Sequence, residues 1–301
     1  MITLTEVGLR DGLQLEEHRI PTDVKAKLAV ALADAGYRRI EVGSFVSPKA
    51  VPAMADTAEL LALVGGRPGV EFGVLVANDR GATEAVAAGA GALNVVVSAS
   101  ETLSQRNTRR SVDESVAVVA DAVAAAATSD RHVPVSAIVA TSFGCPYEGP
   151  IAPEVVIDVV GRVLDAGAGR VTLADTIGAG NPAQVRRLVA EVRALHPDVE
   201  FGFHGHDTRG MGVANVAAAV EAGAEGIDAS VGGLGGCPFA GRGASGNVAS
   251  EEVIGLLDGL GVACGIDIDM VAEVAAELES RLGHPLPSKR LALYKATGSA
   301  R

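Results

Sequence analysis

ALNVVVSA, residues 92–99, is apolar almost without a break and ends in small residues. A strand of this kind is buried on both faces, as in a parallel sheet covered by helices, rather than wet on one side. The next apolar run, VPVSAIVAT (133–141), reads the same way, and an alanine-rich helical stretch at 111–128 separates the two. The alternation continues in both directions. Before it lie strands ITLTEVG (2–8), RRIEVGSF (38–45) and EFGVLV (71–76), with helical spacing over 22–36, near 57–64 and over 79–88. After it come strands GRVTLAD (169–175), VEFGFHGH (199–206) and AEGIDASVGG (224–233), with helices over 153–166, 182–195, 212–223 and 250–259. A last helix near 268–282 precedes a tail containing proline and lysine.

Eight strand–helix units in 301 residues predict a closed (β/α)8 TIM barrel with one additional C-terminal helix. No glycine-rich fingerprint follows the first strand, which weighs against a dinucleotide-binding sheet. No linker or low-complexity stretch breaks the pattern, so residues 1–301 read as one catalytic domain.

Hydrophobic residues make up 48%, enough for a large core, but aromatics only 3%, so Val, Leu, Ile and Ala must fill it. A net charge of −12 argues against a nucleic-acid surface, and an anionic ligand would need a local basic patch. Three scattered cysteines do not make a disulfide framework and point to a reducing compartment. The chain runs straight into a strand pattern with no leader and no apolar stretch of membrane length, so a cytoplasmic protein with no membrane partner is expected.

In such a barrel the chemistry sits at the C-terminal ends of the strands, and the unusual polar residues fall there. Arg10 and Asp11 follow the first strand, Glu41 lies on the second, and Ser142 follows the fifth. Asp175 ends the sixth, and His204 and His206 end the seventh. Residues i and i+2 of a strand share a face. The two imidazoles therefore point together, either as metal ligands or as a hydrogen-bonded core pair. Glu41 and Asp175, on core strands, need a base or a metal water as partner. The loop GGLGGCPFAGRGASGN (232–247) holds Cys237 and Asn247. It reads either as a phosphate cradle or, preferred for its thiol and amide, as a catalytic flap.

Together these residues resemble the 3-hydroxy-3-methylglutaryl-CoA lyases of the DRE-TIM metallolyase group. The likeness is carried by EVGLRDGLQ (6–14), IEVGSFVSPK (40–49), FGCPYEG (143–149), DTIGAGNP (175–182), FHGHDTRG (203–210) and GLGGCP with GASGN (233–247). It implies metal ligation by Asp11, His204, His206 and Asn247, with water completing the shell of Mg²⁺ or Mn²⁺. Arg10 matches the essential arginine, and Cys237 the thiol of the flexible loop. Glu41, Asp175 and Glu251 match supporting acids. Gln14 matches a residue near the metal-bound oxygens. The implied reaction splits 3-hydroxy-3-methylglutaryl-CoA into acetyl-CoA and acetoacetate, a step of leucine degradation, with Asp11 or His204 as base. Arg106, Arg109 and Arg110 after the fourth strand are candidates for the CoA phosphates, or else a solvated loop. Ser142 is a further candidate for substrate contact, and a homodimer is expected from the resemblance.

The chain departs from the family at Leu9, Leu15 and Arg209, and in the flap, where Gly241 and Arg242 lengthen it. These changes bear on the acyl group accepted. A lyase for a longer 3-hydroxy-3-alkylglutaryl-CoA is therefore the alternative. More distant ones are a condensing synthase of the isopropylmalate or homocitrate type, a 4-hydroxy-2-oxo-acid aldolase, and a non-enzymatic metal- or CoA-binding barrel.

Overall fold

The computed structural model describes residues 1–236 and 246–301. Eight parallel strands close into a barrel in chain order. They are β1 (Thr3–Glu6), β2 (Arg39–Phe45), β3 (Glu71–Val76), β4 (Ala92–Ser98), β5 (Val135–Ala140), β6 (Arg170–Asp175), β7 (Glu200–Gly205) and β8 (Gly226–Ala229). The helices between them are α1 (Thr22–Asp34), α2 (Thr57–Val64), α3 (Asp79–Ala87), α4 (Glu101–Thr108), α5 (Val112–Ala126), α6 (Pro153–Asp165), α7 (Pro182–Leu195) and α8 (Gly212–Glu221). After β8 come α9 (Ser250–Gly259), α10 (Ile268–Leu282) and α11 (Lys289–Thr297). The predicted barrel is thus observed, and α10 is the additional helix.

The outer shell follows the apolar spacing. On α6, Val156, Val159, Val160 and Val163 are buried, and on α7, Val185, Leu188, Val189 and Val192. These i, i+3, i+4, i+7 stripes lie against the strands. Helix starts are fixed locally: Asn181 caps α7 in a reciprocal pair with Gln184, with Pro182 in the first turn.

Inside the barrel the side chains turn small and polar. Arg39, Glu71, Arg170 and Glu200, the first residues of β2, β3, β6 and β7, form a ring of ion pairs at the N-terminal mouth. Arg170 grips Glu71 with two bonds of 2.7 and 2.9 Å. Above them Gly73, Asn94, Ser136, Thr172, Glu41 and Asp228 line a cavity of about 50 Å³. The C-terminal end of the barrel stands over this cavity.

Two elements were not expected. The segment with Arg106 is helix α4, capped by Ser100, whose hydroxyl accepts from the Leu103 amide at 3.1 Å. The presumed tail contains α11, capped by Ser288. In α4 only Leu103 and Ser104 are buried, and in α11 only Leu291. Neither carries an apolar stripe, so periodicity could not reveal them.

Candidate active site

The loop after β1 turns tightly. The amides of Arg10, Asp11 and Gly12 all donate to the Val7 carbonyl, at 3.1, 2.8 and 3.2 Å. This widened, π-type turn buries Arg10 and Asp11 side by side at the barrel mouth. Such widened turns recur at functional sites.

Across the mouth, β7 delivers the two histidines. Their ring centroids lie 5.2 Å apart, and both side chains are buried. His206 lies just past the strand and bridges antiparallel to Asn247. The Asp207 amide donates to the Gly246 carbonyl at 2.9 Å, and the Val248 amide to Gly205 at 3.0 Å. The returning limb of the loop after β8 is thereby zipped onto the end of β7. Its approach is close: at Gly235 φ is +111°, and an added Cβ would meet Asn247 Nδ2 at 2.9 Å.

Asp11 is the meeting point. Its Oδ1 accepts from Arg10 at 2.6 Å and from Gln14 at 2.8 Å, and its Oδ2 accepts from Asn247 at 2.8 Å. His206 Nε2 is 3.9 Å from Oδ2. Burial alone would raise the Asp11 carboxyl. The Arg10 guanidinium, with His204 and His206, outweighs it and holds the group at about 2. Burial lowers His206 to about 4, helped by the neighbouring His204. Arg10 reaches the other way to Glu41 at 2.5 Å, and Glu41 is held in turn by Asn94 at 2.8 Å. Burial would lower the Arg10 guanidinium, but Glu41 and Asp11 raise it, so it stays charged.

One ligand atom from each of Asp11, His204 and His206 lies within 4.8 Å of the others, so these three could hold a metal ion. Asn247 supports that fit. Its Nδ2 donates to Asp11 and to the Leu234 carbonyl, while its buried Oδ1 has no hydrogen-bond partner among the described residues. An orphaned buried oxygen beside a carboxylate and two imidazoles suits a hard or borderline cation.

The remaining candidates divide. Glu41 joins the site through Arg10. Asp175 holds its own loop, accepting from the Ala179 and Gly180 amides at 2.8 and 3.0 Å. Glu251 accepts from the Gly232 amide at 3.0 and 3.1 Å and so holds the start of the loop after β8. The Ser142 hydroxyl donates to the Val139 carbonyl at 2.7 Å. Arg106 lies over the Tyr147 ring at 4.3 Å, and Arg110 donates to the Ala77 carbonyl. Arg109, exposed, ends α4 in a left-handed conformation. Arg209 donates to the Ile177 and Gly178 carbonyls at 2.9 and 2.8 Å, so it staples two loops together. Cys237 and Arg242 lie outside the described residues.

Three participants escaped the sequence reading. Asp228 on β8 places Oδ2 at 3.3 Å from His204 Nδ1. Asn94 supports Glu41. Glu6, buried at the end of β1, accepts from the Gly8 and Val231 amides, both at 2.8 Å, and from the Ser250 hydroxyl at 2.6 Å. It ties together the three segments that carry Arg10 and Asp11, the loop after β8, and Asn247. A polar residue inside an apolar strand was the available signal for all three. Thr141, just past β5 and already conspicuous in the sequence as a polar residue at a strand end, is a β-branched residue at φ 61°. That conformation costs roughly 1–3 kcal/mol and collects at functional sites.

Known proteins share both the sequence and this architecture. The HMGL-like family model matches residues 1–277. A cytoplasmic 3-hydroxy-3-methylglutaryl-CoA lyase of Rattus norvegicus is 41% identical over 274 residues, 90% of this chain and 78% of the relative. The mitochondrial hydroxymethylglutaryl-CoA lyase of Bos taurus is 40% identical, covering 96% and 88%. Among solved structures, the hydroxymethylglutaryl-CoA lyase of Pseudomonas aeruginosa superposes with a TM-score of 0.93 at 39% identity, covering 98% and 97%. An HMG-CoA lyase of Acinetobacter baumannii, in complex with coenzyme A and 3-methylmalate, gives 0.91 at 40% identity, covering 99% and 95%. With the barrel, the His-x-His end of β7 and the Arg10–Asp11 turn all in place, the chain belongs to the HMGL-like family.

Proposed function

We propose that this protein is a carbon–carbon lyase that cleaves 3-hydroxy-3-methylglutaryl-CoA to acetyl-CoA and acetoacetate. The observation that carries the reading is the convergence of Asp11, His204, His206 and the orphaned Asn247 Oδ1, beside a buried arginine, in a chain of this family. Those four residues would hold a divalent cation, Mg²⁺ or Mn²⁺. When bound there, such a cation would acidify the substrate's tertiary hydroxyl and fix its geometry.

The protein's own groups do the rest. Asp11 and His204 are the two candidates to take the hydroxyl proton, and Asp11, held at about 2, is the weaker base. As the carbon–carbon bond breaks, negative charge collects on the thioester enolate of acetyl-CoA. Arg10, aimed by Glu41 and Asp11, stabilises that oxygen, an effect worth roughly 3–4 kcal/mol per donor. Gln14 keeps Asp11 oriented. Cys237 is the proposed donor to the enolate carbon, since a thiol with an ordinary pKa of about 8.5 still carries its proton near pH 7. Asp175 and Glu251 act through the loops they hold. Arg106, Arg109 and Arg110, with Ser142, form the proposed contact with the CoA ester on an otherwise acidic protein.

The whole chain serves as one catalytic unit in this reading. It works as a cytoplasmic homodimer in leucine breakdown, with neither nucleic acid nor membrane as partner. The cytoplasmic relative and the reducing cysteine pattern support that compartment. No helix among the described residues is long and apolar enough to cross a membrane. Purified protein with Mg²⁺ or Mn²⁺ should convert the thioester to equal amounts of acetyl-CoA and acetoacetate, and chelation should stop it. Turnover only of a longer 3-hydroxy-3-alkylglutaryl-CoA would transfer the assignment to that substrate. No cleavage of either would refute it.

A further inference from the structure

The two imidazoles of the site are not equivalent. His206 Nδ1 is buried with no hydrogen-bond partner among the described residues. His204 Nδ1 instead faces Asp228 Oδ2 at 3.3 Å, with both side chains buried. His204 and Asp228 are also register partners across the parallel pair β7–β8. Their relation is therefore set by the barrel wall rather than by a loop, the more rigid way to place a side chain. Asp228 shares the axial cavity with Glu41, the carboxylate that aims Arg10. The wall thus supplies one carboxylate for the arginine and another for one histidine.

We infer that Asp228 is a positioning residue that accepts the Nδ1–H of His204, fixing its tautomer and ring plane so that Nε2 keeps its lone pair for the group formed with Asp11 and His206. A neutral imidazole carries one N–H, so the partner of one nitrogen decides what the other can do. Supporting carboxylates of this kind are worth about 10–100-fold in metal affinity. Among the described residues nothing comparable holds His206, so there the site is built around one pre-set imidazole and one adaptable one. The inference rests on the metal-site reading above and concerns what makes that site rigid.

Two measurements test it without relying on turnover. In metal-free, ¹⁵N-labelled wild-type protein, the histidine resonances that vanish in His204→Ala should show the Nδ1–H tautomer. An Nε2–H tautomer there would overturn the assignment whether or not any variant folds. Mn²⁺ binding followed by electron paramagnetic resonance should then weaken about 10–100-fold in Asp228→Ala. In a His204→Ala background the same change should cost less than about twofold, because Asp228 acts through His204. Equal losses in both backgrounds would mean a general structural role and would overturn the inference. Absence of Mn²⁺ binding in the wild type would instead sink the metal-site reading, while the tautomer result would still decide the role of Asp228.

Discussion

Asn247 Nδ2 donates to Asp11 Oδ2 at 2.8 Å, joining two residues separated by 236 positions in the chain. That bond closes the barrel mouth between the turn after β1 and the limb returning after β8. It also leaves Asn247 Oδ1 buried with no hydrogen-bond partner among the described residues. An asparagine placed this way is costly unless a further group meets the oxygen.

Asn247→Ala should therefore lower Mn²⁺ affinity by about tenfold or more while leaving the fold intact. Titration of the metal-free protein by calorimetry checks this. An unchanged affinity would remove Asn247 from the ligand set.

Arg10 compensates two buried carboxylates, Glu41 at 2.5 Å and Asp11 at 2.6 Å. Arg10→Met should accordingly cost about 10³-fold in kcat. It should also cost roughly 3–5 kcal/mol of stability, because Glu41 is left buried and unpaired. Adding Glu41→Gln should restore much of the stability and none of the rate. Denaturant melts beside steady-state kinetics separate the two effects, and recovery of both together would contradict the role given to Arg10.

Glu6 supplies a pH dependence. Burial raises its carboxyl from 4.5 to about 7 against the pull of Ser250, Val231 and Gly8. In that window the folded protein holds a proton that the unfolded chain has released. Stability from this group is thus full below about pH 4.5 and is lost as pH rises to about 7, on the order of 3 kcal/mol in all. Glu6→Gln, which cannot ionise, should flatten that fall. Urea melts at pH 5 and pH 8 check it, and parallel losses in the two proteins would show that Glu6 is not the group responsible.

The helix α4 offers a substrate test. Arg106→Glu and Arg109→Glu should each raise KM for the CoA ester about fivefold to tenfold, near 1–1.4 kcal/mol, with kcat little changed. The effect should shrink in high salt, as expected for exposed charges. If KM stays put, the phosphates bind elsewhere.

Much of this was readable in the sequence, and the unread parts have physical reasons. The barrel was legible because each strand is a short run closed by turn residues, and each helix before α10 except α4 carries an apolar stripe. His204, His206 and Asp11 were legible because their type and their place at strand ends are unusual together. Asp228 and Asn94 were not, since one polar residue in a buried strand does not show which neighbour it serves. That depends on register: β8 sets Asp228 opposite His204, while in β2 an irregularity between Glu41 and Gly43 shifts the pairing with β3. Glu251 and Asp175 were read as supporting acids; among the described residues they hold backbone amides of their neighbouring loops, partners that sequence does not display.

Asp11, His204, His206 and Asn247 are proposed to seat a single divalent cation. Crystals soaked in Mn²⁺ and measured for anomalous scattering test it most directly. One strong peak is expected about 2.0–2.6 Å from a carboxylate oxygen of Asp11, a ring nitrogen of each histidine and Asn247 Oδ1. A peak elsewhere, or none at saturating Mn²⁺, would contradict it.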